Sequence, residues 1–394
     1  MARLYTDGAE LNTNADGFEA TASDTGNAVT IQSTVKRSGN YAWQAYANVA
    51  FESYFQFVAS PSDNQHFART YIRIEAAPTA TTRIARFLET GISQRVCARL
   101  KSDMTLILTE ADGTQIGSPS AALSLDTWYR LEMTYDNNDP VSTSALKVDG
   151  TTVASTTTGT TIDGVNAFSW GNIDGDATLD IFFDDLAVND TTGTAQTSYP
   201  GEGSVVLALP TGAGDNAATT GIYSYINEIP PTNTATSGST MIELDTTTSI
   251  GDYAMTDSGA LGIGASDTIT LVAPIARVRE EAAGTSNYTL RVKSASGGTV
   301  VASSSLDAGN ATPRTNPSGT VAFANKFVSY TDPTTSAAWT PTGTNSIDNM
   351  QVGAATTDGT PDVWVLWLGA HVEYVPAAPG GATYPGYYGQ TGWF

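Results

Sequence analysis

Cysteine, histidine and basic side chains are scarce in this chain, and each shortage closes off some chemistry. Cys97 is alone, so no disulfide can form within the chain. It stands in Arg95-Val96-Cys97-Ala98-Arg99-Leu100, which marks it as a small buried residue rather than a nucleophile. His66 and His371 are the two histidines, too few for a multi-histidine metal site. With 18 Lys and Arg against 40 Asp and Glu, the formal net charge is -22. A chain this acidic repels phosphate backbones, which argues against a nucleic-acid partner. The nearest thing to a basic cluster runs through Arg69, Arg73, Arg83, Arg86, Arg95, Arg99 and Lys101. These lie in alternating segments and read as solvated strand faces. No apolar run approaches the ~20 residues of a membrane span. The opening, MARLYTDGAELN, lacks the apolar core of a signal peptide.

Thr, Ser, Gly, Ala and Asp dominate, while 40% of the chain is hydrophobic, enough for real cores. That mixture favours short strands joined by polar turns. Residues 1–190 carry alternating runs such as Phe67-Ala68-Arg69-Thr70-Tyr71-Ile72-Arg73-Ile74 and Met104-Thr105-Leu106-Ile107-Leu108-Thr109. Turn signals separate them at Ser38-Gly39-Asn40, Asp112-Gly113 and Asp149-Gly150. The expected architecture is all-β: a sandwich or jelly roll over 1–190, a polar linker over 191–203, and a second β-sandwich over 204–376. In the second unit, strands are expected at Thr268 to Arg279, Tyr288 to Lys293, Thr299 to Ser303, Lys326 to Thr331 and Asp362 to Val375. The last is apolar on both faces, with Val363, Val365 and Trp367 opposed to Trp364, Leu366 and Leu368. A strand of that kind is central and covered on both sides. Thr232 to Asp252 has no assignable pattern.

A Gly/Pro-rich C-terminal tail, 377–394, carries Tyr384, Tyr387, Tyr388, Trp393 and Phe394. Aromatic rings on such a segment gain by docking, either on the chain's own sheets or on a neighbouring subunit.

Leu125-Asp126-Thr127-Trp128-Tyr129-Arg130-Leu131-Glu132-Met133-Thr134-Tyr135-Asp136, followed by Leu146-Lys147-Val148-Asp149-Gly150, resembles the laminin-G/concanavalin-A-like jelly roll. Alternation puts Trp128, Arg130, Glu132 and Thr134 on one face and Tyr129, Leu131, Met133 and Tyr135 on the other. Ile181-Phe182-Phe183-Asp184-Asp185-Leu186-Ala187-Val188 is similar to the closing strand of that fold. The opening segment, the run FFDDLAVNDTTGTAQTSYPGEGSVVLALPTGAGDN, and the later NEIPP and IDNMQVG resemble laminin-G-containing structural proteins of tailed bacteriophages. The resemblance implies a place on the virion surface, as a minor tail, fibre-like or head-decoration protein made in the host cytoplasm. Other capsid or tail proteins and further copies of the chain would then be its partners.

Catalytic signatures are thin. Jelly-roll glycosidases need two carboxylates flanking the scissile bond. A Glu-x-Asp step stands at Glu243-Leu244-Asp245, but it lies in the second unit and lacks a third carboxylate. There is no GxSxG elbow, and Leu261-Gly262-Ile263-Gly264-Ala265 reads as turns rather than a phosphate loop. The expectation is a non-enzyme without a cofactor. Calcium is the one candidate ion: Asp174, Asp176 and Asp184 are its candidate ligands, near Asn172, Asp180 and Asp185, without the spacing of an EF-hand. Simple alternation sends Asp184 and Asp185 to opposite faces. A sugar platform would draw on Trp43, Tyr46, Tyr54 or Trp170, each of which also suits a core. Host-surface glycan binding, and less favoured, polysaccharide depolymerisation, stand as alternatives to a purely structural role.

Overall fold

The computed structural model describes residues 3–12, 20–23, 29–47, 52–58, 65–89, 93–137, 141–159, 164–175, 177–218, 221–231, 241–245, 249–280, 286–308, 327–357 and 362–377. Two antiparallel sheets form a sandwich from the first half. One runs in the order Thr151–Gly159, Ser142–Val148, Trp128–Asp136, Gln65–Ala76, Leu179–Asp190, Ala42–Ala47, Val29–Gln32, with Arg3–Asp7 also pairing with Leu179–Asp190. The other runs Gln115–Ile116, Leu106–Glu110, Ser93–Leu100, Thr82–Glu89, Ala167–Asn172, Ser53–Val58, Ala20–Ser23. Side-chain alternation sets which face each strand buries. Leu131, Met133 and Tyr135 enter the core between the sheets, as the alternation of Trp128–Asp136 predicts. Aromatic rings fill the middle: Phe55 lies 5.3 Å from Trp43 and meets Phe183 edge-on at 5.7 Å. The hairpin at Asp149-Gly150 closes because both residues take positive φ, 49° and 81°, the backbone a two-residue primed turn requires.

The second half also builds two sheets. In one, Val363–Val375 is flanked by Ser204–Ala208 and Ile242–Leu244 on one side and Thr268–Glu280 on the other. The second sheet holds Pro210–Ala213, Ile250–Met255, Gln351–Thr356, Asn287–Lys293, Val301–Ala302 and Leu306–Asp307. Val363–Val375 is central and covered on both faces, but simple alternation misassigns its far half. Opposite Arg277 and Val278 the register skips Leu366, and this bulge reverses the sense of alternation. Leu368, Ala370 and Val372 therefore join Val363 and Val365 in the main core, while Trp367 turns to the other side. The stretch without a pattern supplies Ile242–Leu244 and the start of Ile250–Met255. Thr299 to Ser303 shortens to Val301–Ala302, and in Lys326 to Thr331 the described pairing is one bridge, Ser329 to Val272. The Gly/Ala-rich Gln351–Thr356 is a strand its weak β propensity hides.

The two halves meet across a buried polar seam. Glu373, on the central strand of the second half, reaches Arg3 and Arg69 on the eight-stranded sheet of the first. Its Oε1 accepts from Arg69 at 2.9 Å, and Thr6 donates to its Oε2 at 3.3 Å. All three charged side chains are at most 1% exposed. Burial alone would push the Glu373 carboxyl up, but the two guanidiniums hold it below the usual carboxylate range. Arg3 also donates to Asn189 Oδ1 at 2.7 Å and, through its backbone N–H, to the Tyr330 hydroxyl at 2.9 Å. The linker is laid on the same sheet: Tyr199 packs edge-on against Phe67, Lys147 sits 3.5 Å above the Tyr199 ring, and Gly201 N–H donates to Glu132. Beside the seam, Leu11 of the first half packs with Leu207, Ile275 and Trp367 of the second. Gly8 permits the approach, because a Cβ there would lie 2.4 Å from the Val205 carbonyl oxygen. Part of the outer face of the eight-stranded sheet, around Arg3, Arg69, Phe67 and Glu132, is thus covered by the linker and the second half, and the outer face of the seven-stranded sheet lies on the opposite side of the sandwich.

Glu373→Ala leaves two guanidiniums buried without a counter-charge, a change that costs about 3–5 kcal/mol. Urea unfolding should show that loss, and limited proteolysis should become faster within 191–203. Unchanged stability and cleavage would show that the seam is not held by this residue.

Candidate functional site

The seven-stranded sheet carries the unusual outward face. On Ser93–Leu100, Val96, Ala98 and Leu100 enter the core, which sends Arg95, Cys97 and Arg99 outward. Register places Arg86 beside Cys97 on one neighbouring strand and beside Ser169 on the other, and Arg83 beside Arg99. Asp174 is held between two of these cations: it binds the Arg83 guanidinium, accepts from the Arg83 N–H at 2.9 Å, and accepts from Arg99 at 3.3 Å. Arg95 pairs with Glu89 at 2.5 Å. Arg86 donates to the Ser169 hydroxyl at 3.3 Å and lies 5.1 Å from the centre of the Tyr54 ring, and among the described residues no carboxylate pairs with it. Ser169 in turn donates to Gln56 at 3.1 Å, and Arg99 Nε to Thr109 at 3.3 Å. The floor of the face is therefore small and polar, with guanidiniums standing on it.

The basic run of the sequence splits three ways. Arg69 is buried in the seam rather than solvated, because the second half covers its side of the sheet. Arg73 and Lys101 make exposed pairs with Asp126 and Asp103. Arg83, Arg86, Arg95 and Arg99 converge on one face. Alternation within Ser93–Leu100 was a legible signal for this, while the convergence of two strands was not. Cys97 is fully buried beneath the arginines, and burial pushes its thiol up to about 11 despite them. It stays a neutral thiol at ordinary pH.

The calcium candidates do not form one site. Asp174 is committed to arginines, Asp176 lies outside the described residues, and Asp184 belongs to the edge of the seam. Among the described residues no group of three or more His, Cys, Asp or Glu is placed to hold a metal ion. Asp184 and Asp185 do not diverge as alternation predicts. Asp185 adopts a left-handed φ of 52° within a bulge, so both carboxylates turn toward the Arg37-Ser38 segment, Asp184 to its backbone and Asp185 to its side chains. Asp184 accepts from Arg37 N–H at 2.8 Å, while Asp185 accepts from the Ser38 hydroxyl and Val205 N–H, each at 2.6 Å, and pairs with Arg37. Glu10 is buried nearby and accepts from Asn40 and Tyr41 N–H at 2.9 and 3.2 Å. Asn172 and Asp180 are occupied by Thr82 and Gln44.

The remaining candidates are scattered. Trp43 and Trp170 are core residues, Tyr46 is 43% exposed, and Tyr54 lies on the arginine face. Glu243 accepts from Trp364 and Asp245 from Ser249, so that Glu-x-Asp step serves local structure. A second such step stands at Glu110-Ala111-Asp112. It ends a strand and enters a turn, where Asp112 accepts the Thr114 N–H at 2.8 Å beside a cleft of about 360 Å³. The aromatic tail residues Tyr384, Tyr387, Tyr388, Trp393 and Phe394 lie outside the described residues.

No family model and no curated protein matches the chain. Among solved structures it is similar to Trypanosoma rangeli sialidase in complex with the inhibitor DANA, at TM-score 0.32 and 9% identity over 41% of this chain and 27% of that one. It is also similar to domain 4 of AbnA, a GH43 extracellular arabinanase from Geobacillus stearothermophilus, in complex with arabinotriose, at TM-score 0.33 and 14% identity over 48% of this chain and 92% of that one. The chain thus spans about a quarter of the sialidase's length. Likenesses of this size carry no argument about activity or ligand.

The acid group at the seam makes stability depend on pH. Burial pushes Glu10 up from an ordinary 4.5 to about 8, although the Asn40 and Tyr41 N–H groups pull the other way. Burial and the neighbouring Asp185 likewise push Asp184 well up. In that window the folded chain holds a proton that the unfolded chain has released, so stability falls as pH rises from about 4.5 to about 8. Glu10→Gln should flatten that slope, reducing the fall in stability across the window by an amount on the order of a few kcal/mol. Denaturant melts of both proteins across the window check it, and parallel slopes would refute it.

Proposed function

We propose that this chain is a non-catalytic structural protein on the surface of a tailed-phage particle, as a minor tail or head-decoration component, with its N-terminal sandwich available for glycan contact. The observation that carries this reading is the seam. Glu373 and the linker fix the second half on one face of the first sandwich, and the opposite face is left outward. That arrangement suits a spacer that presents a sheet, with weak contacts multiplied by copies around a symmetric particle. The carboxylates best placed for acid–base work are engaged elsewhere: Asp174 by two arginines and Glu243 by an indole. The sequence resemblance to laminin-G-containing phage proteins points the same way.

A host-recognition adhesin is the second reading, favoured by the arginine face alone. A polysaccharide depolymerase ranks behind both. Mass spectrometry of purified particles should find the chain at stoichiometric abundance. Its absence from particles, or release of reducing ends from host polysaccharide by the purified chain, would overturn the proposal.

A further inference from the structure

We infer that the outer face of the seven-stranded sheet is a binding site for an acidic polysaccharide, recognised through the anionic groups its sugars carry. The inference deepens the glycan-contact part of the reading above and rests on it.

Charge is the first argument. Arg83, Arg86 and Arg99 stand on one face with Asp174, which pairs with Arg83 and Arg99 but not with Arg86, while Arg95 is matched by Glu89. Three cations against one anion make a positive island on a chain of net charge -22. Such an island attracts an anion locally while the rest of the surface repels it. Arg83 and Arg99 keep 22% and 20% of their side-chain surface open, so the island is accessible.

Arg86 is the second argument. Its neighbours are a hydroxyl and an aromatic ring, on a half-buried site where a guanidinium is stabilised by a carboxylate or similar anion. A bulge between Arg83 and Ala85 brings it to the same face as Arg83, opposite partners two residues apart on the neighbouring strand, about 7 Å at 3.3 Å per residue.

The third argument is what lies between the cations. Ser169, Gln56 and Thr109 lie buried beneath the guanidiniums, where Ser169 and Thr109 hold Arg86 and Arg99 in place, and the half-buried Tyr54 ring lies beside Arg86. A nucleic acid, charged every ~3.4 Å per strand, would meet Asp174, Glu89 and the long-range acidic field instead.

The test uses the full chain and four probes: hyaluronate fragments, their carboxyl-reduced counterpart, dextran sulfate, and oligothymidylate. Saturable binding to hyaluronate or dextran sulfate is expected, and whichever binds identifies the anion as carboxylate or sulfate. Carboxyl reduction should abolish any hyaluronate binding. Arg86→Gln and Arg99→Gln should each weaken binding at least tenfold, and Arg86→Lys, which keeps the charge but not the planar fork, by less. Arg73→Gln, on the other sheet, should change it less than twofold. Binding to neither acidic glycan, equal binding to oligothymidylate, or equal loss in Arg73→Gln would overturn the inference. None of these results bears on whether the chain is in particles, which the mass spectrometry above decides separately.

Discussion

Glu373 is one carboxylate from the second half placed between two guanidiniums of the first, with almost no water. Buried ion pairs of this kind contribute little net stability against apolar replacements, but losing one partner is severe. Their use here is geometric. An apolar seam would tolerate sliding, whereas Arg3 and Arg69 meet Glu373 in one arrangement, with Thr6, Asn189 and Tyr330 completing the hydrogen bonds around them. Leu11, Leu207, Ile275 and Trp367 add the apolar burial beside it.

That constraint decides what the first sandwich can present. The linker is not a free tether: Tyr199 and Gly201 are fixed on Phe67, Lys147 and Glu132, side chains that would otherwise face solvent. With part of one sheet face covered by the second half, the other sheet differs in character. There the chain departs from its own acidic character, and arginines gather over a floor of small polar residues. A two-sheet fold offers two outer faces, and here one joins the halves while the other carries the arginines.

Much of the fold was legible in the sequence, because alternation and turn chemistry are local. Leu131, Met133 and Tyr135 went inward as their spacing required, and Asp149-Gly150 made the turn its composition allows. Bulges were the main source of error. One skipped residue at Leu366 reversed the faces of Leu368 and Trp367, and a left-handed Asp185 brought two adjacent carboxylates to one side. No periodicity announces an inserted residue. The seam was illegible for another reason: Arg3 and Arg69 stand 370 and 304 positions from Glu373, and nothing in a run of charges tells which will be buried. The arginine face was half visible. Arg95 and Arg99 share a face by spacing, but Arg83 and Arg86 join them only through strand register.

The central claim is that the two sandwiches behave as one cooperative unit because of the Glu373 seam. Differential scanning calorimetry of the intact, unaltered chain tests it most directly. The account predicts a single transition whose calorimetric and van't Hoff enthalpies agree for all the described strands together. Two separated transitions, each with the enthalpy of one half, would contradict it.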